Sequence, residues 1–148
     1  MKSPFLLTAI ISLIIIIKPS QSLKAEQVVI NEIMYHPNEG GHEFVEIENL
    51  TSSPFDIALW KLSGGVDFEF PDFSSASPRN TFLKAFERIV ICDTDPGTFR
   101  AAYGLPSAVR VLGPWKGNLN NGGERINLKD KNGINRCTVR YDNQGNWP

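Results

Sequence analysis

From residue 26 onward, apolar residues come in runs of four to eight separated by turn formers, with no long stretch at 3.6-residue spacing. That pattern predicts an all-β chain. Val28-Val29-Ile30-Asn31-Glu32-Ile33-Met34-Tyr35 reads as a first strand, stopped by His36-Pro37-Asn38-Glu39-Gly40-Gly41, where proline withdraws a backbone donor and glycine accepts a positive φ. Glu43-Phe44-Val45-Glu46-Ile47-Glu48-Asn49 then alternates, which predicts an antiparallel partner with one buried face and one wet face carrying the carboxylates. Further strands are predicted at residues 55–62, 67–70, 88–93, 109–112, 124–129 and 136–141, eight in all. In the last of them Cys137, Val139 and Tyr141 share the inward face while Arg136, Thr138 and Arg140 point to solvent. Asp130-Lys131-Asn132-Gly133 is the hairpin turn before it. Only residues 96–104 look helical, as a short connector. Strands at this spacing point to a sandwich.

The N-terminus is of another kind. Phe5 to Ile17 is a 13-residue aliphatic run broken only by Thr8 and Ser12. A membrane-spanning helix needs about 20 such residues. With Lys2 ahead of it and small residues behind it, the run has the layout of a secretory signal peptide covering residues 1–25. Cleavage after Ser22 and cleavage after Ala25 both fit, and the mature domain would occupy residues 26–148. The expected location is therefore outside the cell or in its envelope, with no membrane span in the mature chain.

Composition narrows the function classes. The chain is 41% apolar and 21% charged with a formal charge of -1, and loss of Lys2 and Lys18, with or without Lys24, would take that to -3 or -4. This argues against a disordered chain and against a generic basic nucleic-acid binder. Two cysteines make neither a disulfide-dense scaffold nor a four-cysteine zinc site. Charge is unevenly placed: residues 26–72 hold ten acids and one base, whereas from Arg79 onward eleven bases face six acids. Solvated faces on two sheets account for this; a basic face of Arg125, Lys129, Lys131, Arg136 and Arg140 is the sharper reading.

Candidate chemistry is sparse. His36 and His42 lie near Glu32, Glu39 and Glu43, which are zinc-type ligands at a spacing that fits no metal motif. Asp93-Thr94-Asp95 and Asp130-Lys131-Asn132-Gly133 each resemble the start of a calcium loop but lack a suitably spaced glutamate, so turn chemistry is the expectation. Glu46 and Glu48 share a strand face, where a solvated role is expected over acid–base work. No nucleophile elbow, phosphate-cradling loop or His-Glu-x-x-His helix occurs. No catalytic residue, cofactor or metal site is assigned, and the chain is not read as an enzyme. Cys92 and Cys137 are the candidate disulfide of an exported protein, two buried thiols being the alternative.

Several blocks are familiar in their order. Val29-Ile30-Asn31-Glu32-Ile33-Met34-Tyr35-His36-Pro37, then Glu43-Phe44-Val45-Glu46-Ile47-Glu48-Asn49, resembles the opening of the lamin-tail domain of secreted bacterial proteins. Asp56-Ile57-Ala58-Leu59-Trp60-Lys61-Leu62 is similar to that family's Trp-bearing strand, Phe68-Glu69-Phe70-Pro71 to its Phe-Pro corner, and Phe99-Arg100-Ala101-Ala102-Tyr103-Gly104 to its helical connector. Leu112-Gly113-Pro114-Trp115-Lys116-Gly117-Asn118-Leu119-Asn120-Asn121-Gly122-Gly123-Glu124 is the most specific block, and Tyr141-Asp142 and Trp147-Pro148 complete the series.

The resemblance implies an immunoglobulin-like β-sandwich of about eight short, mainly antiparallel strands with one short helical connector. Three departures stand out. Leu59 takes the place of the family's usual glycine before the tryptophan, Ala85-Phe86-Glu87 replaces its Gly-rich turn, and the sequence stops at Pro148 where relatives usually continue into one more strand. The resemblance further implies a non-catalytic module that binds a protein or a surface polysaccharide, with Trp115 and Trp147 as candidate contacts. The alternative is the N-terminal targeting part of a longer secreted enzyme, with further domains beyond Pro148. Lamin tails of animal nuclei suggest nucleic acid as a third partner class; the negative mature charge and the export signal argue against it.

Overall fold

The computed structural model describes residues 26–72 and 82–144. The segment expected to be a signal peptide, with both expected cleavage sites, and the closing Trp147-Pro148 lie outside the described residues. Among the described residues, eleven strands and one helix follow in chain order: β1 Val28–Met34, β2 Phe44–Asn49, β3 Phe55–Asp56, β4 Lys61–Ser63, β5 Val66–Glu69, β6 Phe82–Leu83, β7 Arg88–Cys92, α1 Pro96–Tyr103, β8 Arg110–Leu112, β9 Lys116–Gly117, β10 Gly123–Lys129 and β11 Asn135–Asp142. One sheet runs β1-β2-β7-β8 and the other β11-β10-β4-β5-β9, with β3 and β6 as a separate two-stranded ribbon.

Period-two alternation fills the space between the two large sheets. Val28, Ile30, Val45, Ile47, Ile89 and Ile91 from the first meet Leu62, Ile126, Leu128, Cys137 and Tyr141 from the second, joined by Trp60, Phe70, Trp115 and Leu119 from the loops. The two sheets enclose one main core, as expected of an immunoglobulin-like sandwich. β1 and β2 pair antiparallel, with Ile30 opposite Ile47 and Ile33 opposite Val45. β10 and β11 form the expected hairpin, Ile126 opposite Val139 and Leu128 opposite Cys137.

The structure departs from the alternation reading in three places. The strand expected over residues 55–62 is broken in two: the chain turns between β3 and β4, where the Trp60 N–H donates to the Ile57 carbonyl at 3.1 Å and Trp60 drops into the core. The two-residue strands β6 and β9 carry no periodicity to read. The outer face of β2 is wet only in part, because Phe44 packs into a second cluster with Val90, Cys92, Phe99 and Val111 beneath α1. α1 is also why β7 and β8 pair parallel, since a parallel neighbour requires a crossover. The helix starts as its sequence suggests: the Asp95 carboxylate accepts the Thr98 N–H at 3.0 Å, Pro96 opens the first turn, and Gly104 closes the last in the left-handed conformation.

Candidate functional site

The strand pairings gather several loops at one end of the sandwich. β1 begins and β2 ends there, with Val28 opposite Asn49, and β7 begins beside them, with Glu48 opposite Arg88. On the other sheet Lys129 pairs with both Lys61 and Asn135, so β4, β10 and β11 have their corresponding ends together. A cavity of about 400 Å³ joins the two sheets at this end, lined by Glu26, Gln27, Val28, Phe55, Trp60, Asn135 and Arg136. Phe55 and Trp60 meet edge to face, their centroids 5.5 Å apart. Arg136 is held in place by Asp130, whose Oδ2 accepts its Nε–H at 2.8 Å.

Four large apolar side chains on the loops of this end are not packed away. Leu50 is 48% exposed, Leu59 40%, Phe86 62% and Ile134 54%. Leu50 donates its N–H to the carbonyl of the cavity-lining Gln27 at 2.8 Å, and Phe86 donates to the carbonyl of Thr51, the next residue of that loop, at 3.2 Å. Leu59 precedes Trp60 and Ile134 precedes Asn135, both cavity-lining residues. Loops at the end of a sandwich are where recognition residues concentrate, and these four apolar side chains are all on such loops.

The backbone adds a second observation. Among the described residues, Leu59 and Phe86 are the non-glycine residues with positive φ, at 59° and 56°. For a residue with a Cβ this conformation costs about 1–2 kcal/mol. They are also the two places where the sequence departs from the glycines usual in the family it resembles. Here glycine would be unstrained, yet the chain carries large side chains that reach water.

The residues singled out from sequence are placed as follows. Cys92 and Cys137 are free and buried, and the structure does not bring them together. Cys137 lies in the main core, where its sulfur accepts the Ile30 N–H at 3.4 Å, while Cys92 lies in the second cluster on the opposite side of the first sheet. The candidate disulfide is therefore not formed, and the alternative of two buried thiols describes the fold. Burial raises the pKa of both thiols, disfavouring the thiolate.

His42 meets Asp93 rather than the neighbouring glutamates, with Nδ1 3.1 Å from Oδ1. Glu43 turns to the Leu119 N–H, accepted by Oε2 at 2.9 Å, and burial raises its pKa against the lowering effect of that bond. Among the described residues no three His, Cys, Asp or Glu side chains converge on a metal-sized site. Asp95 caps α1, and Asp130 organises its hairpin by accepting the Asn132 and Ile134 N–H groups at 2.9 and 3.0 Å. Glu46 and Glu48 face Arg88, whose Nε lies 3.7 and 3.2 Å from their carboxylates. Trp115 is buried in the core.

Sequence reasoning missed the apolar end because exposed leucine and phenylalanine look like core residues in a pattern. The signal that could have found it was the replacement of glycine at two turns. A two-sheet sandwich of short strands, with its loops gathered at the ends and an apolar group on one of them, defines an immunoglobulin-like module that presents loops. The Lamin Tail Domain family matches residues 21–143, and the chain belongs to that family, whose fold is immunoglobulin-like and whose domain is not catalytic. No curated protein matches the chain significantly.

Proposed function

We propose that this chain is a non-catalytic binding module of an exported protein, attaching to a protein or polysaccharide at a cell surface through the Phe55–Trp60 end of the sandwich. The observation that supports this reading is the pair Leu59 and Phe86, apolar side chains exposed to solvent on backbone that favours glycine. Strain without a packing return marks positions kept for contact outside the fold. The aromatic pair and the amides of Gln27 and Asn135 at the cavity supply the mixed apolar and hydrogen-bonding surface that recognition uses. The aliphatic leader supports export.

The test is saturable co-sedimentation of the protein with envelope isolated from the cells that produce it, compared with the variants Leu59→Gly, Phe86→Gly and the double variant. Wild-type protein is expected to bind, and the double variant to bind at least tenfold more weakly while melting at a higher temperature. Absent wild-type binding, or a double variant that binds as wild type does, would overturn the proposal.

A further inference from the structure

On the outer face of the second sheet, β10 and β11 place Arg125 directly opposite Arg140. Both are exposed, and neither makes an ion pair among the described residues. Like charges directly across a ladder repel and weaken the sheet. The first sheet is treated differently: Arg88 is neutralised by Glu46 and Glu48, and Arg110 by Glu87 at 3.1 Å. Arg136, in the same row as Arg140, is neutralised by Asp130. The uncompensated pair therefore stands apart from the paired arginines around it.

The pair also walls a hollow. Arg125 and Arg140, with Gly122, Gly123, Glu124, Tyr141 and Asp142, line a depression of about 330 Å³ at the end of the sandwich away from the Phe55–Trp60 cavity. Gly123 forms part of its floor at φ 100°, and a Cβ there would come within 2.7 Å of Asp142 Cα and of the Tyr141 carbonyl oxygen, so that position stays bare. The two carboxylates of the hollow are half engaged. Glu124 uses Oε1 to accept from the Tyr141 hydroxyl at 3.0 Å and the Asn120 N–H at 2.8 Å, and Asp142 uses Oδ1 to accept the Gln144 N–H at 2.7 Å. Glu124 turns to the core side, where a Cβ on Gly65 would meet both its carboxylate oxygens within 2.4 Å, so the second oxygen of Asp142 is the acceptor left on the arginine face. Along the same face Thr138 and Asn127 form a neutral hydrogen-bonded pair at 3.0 Å next to the arginines.

We infer that this hollow is an anion site for a uronate-type acidic polysaccharide. A sugar ring bearing a carboxylate satisfies both halves of the lining: the guanidiniums take the carboxylate, and the unengaged oxygen of Asp142, on the same face, accepts a ring hydroxyl. A polyphosphate satisfies only the first half and is repelled by the second. The outward positions of β10 and β11 hold no aromatic side chain on which bases could stack, and the formal charge of the chain is negative. The site is separate from the apolar end and stands on its own geometry.

The test is titration of the protein with polygalacturonate, with neutral dextran and a duplex DNA oligonucleotide of equal mass as parallel arms, at 50 and 200 mM salt. Polygalacturonate is expected to bind, to weaken as salt rises, and to exceed both dextran and DNA. The double variant Arg125→Gln/Arg140→Gln is expected to lose at least tenfold in affinity with a melting temperature no lower than wild type, since it removes a repulsion. Arg88→Gln, which removes a paired base on the other sheet, is expected to bind polygalacturonate as wild type does. Phe86→Gly is expected to bind it unchanged as well, which separates this site from the envelope-binding end. No wild-type binding, tighter binding to DNA, or an equal loss in Arg88→Gln would overturn the inference.

Discussion

Asn49 is fully buried at the end of β2, on the face that also carries Val45 and Ile47. Its amide donates to the Ser53 carbonyl at 2.9 Å and the Lys84 carbonyl at 2.8 Å, with a longer contact of 3.4 Å to Leu83. Its Oδ1 accepts from the Thr51 N–H at 3.0 Å and the Thr51 hydroxyl at 2.8 Å. One side chain thus ties the β2–β3 loop to the β6–β7 turn that presents Phe86. Each such bond contributes about 1 kcal/mol net. Four short ones make the expected cost of Asn49→Ala about 3–4 kcal/mol, a large share of the roughly 5–15 kcal/mol that holds a domain folded. Asn49→Asp keeps the shape and the Thr51 side but turns a carboxylate oxygen toward two carbonyls in a buried site, so it is expected to cost more than alanine. Urea unfolding followed by tryptophan fluorescence measures both. An alanine cost below about 1 kcal/mol, or an aspartate variant more stable than the alanine one, would refute the view that this hydrogen-bond hub organises the end of the sandwich.

Other consequences are simpler to check. Burial alone would raise the Asp130 pKa, but the Ile134 and Asn132 N–H groups and the Arg136 guanidinium outweigh it and hold the carboxyl below its ordinary value. Its contribution to stability is therefore complete above about pH 4 and lost as pH falls through the depressed value, so Asp130→Asn should flatten the acid limb of a stability–pH curve. Tyr141 is buried with its hydroxyl 3.0 Å from both the Asn120 carbonyl and Glu124 Oε1, and burial together with Glu124 raises its pKa. Tyr141→Phe should cost about 1–2 kcal/mol in the same urea assay. Because the two thiols are free and lie in different clusters, alkylation in denaturant without reductant should add two labels to the intact mass, and alkylation of the folded protein should be slow.

Legibility followed periodicity. The β1–β2 pair and the β10–β11 hairpin were readable because each has one dominant signal, alternation and an Asp-Lys-Asn-Gly turn, and α1 because residues 96–104 interrupt the short strands with Phe99, Ala101, Ala102 and Tyr103. The position of Cys92 was not, since Ile89, Val90, Ile91 and Cys92 are all buried. A strand covered on both faces, by the core on one and by α1 on the other, loses the alternation that would say which way a residue points. Phe44 misled for the same reason. The break inside residues 55–62 was hidden because Ile57 and Leu59 continue an apolar rhythm, although Leu59 occupies the left-handed turn and faces solvent. Of the basic face, alternation placed Arg140 outward and Arg125 was a candidate for the same face, but the two could not be paired, because pairing is set by the hairpin register.

Leu59 and Phe86 bring the strain argument to a number. Restoring glycine releases about 1–2 kcal/mol of left-handed strain at each site. Against this stands about 0.5–1 kcal/mol for the extra freedom glycine has in the unfolded chain. The net expectation is a gain of about 0.5–1 kcal/mol per site, a few degrees in Tm for a domain of this size. Loss of packing comes off this gain, least at Phe86, which is 62% exposed. Leu59 is only 40% exposed, and its covered part, at about 1.5–3 kcal/mol for a whole leucine, offsets most or all of the gain there, so the rise is expected chiefly from Phe86. Had these side chains served the core, glycine would instead cost the transfer and cavity energy of a buried residue, several kcal/mol in the opposite direction. The sign of one melting experiment therefore separates a packing role from a presenting one. A rise in Tm accompanied by loss of envelope binding places the two residues in recognition, and a fall in Tm places them in the fold.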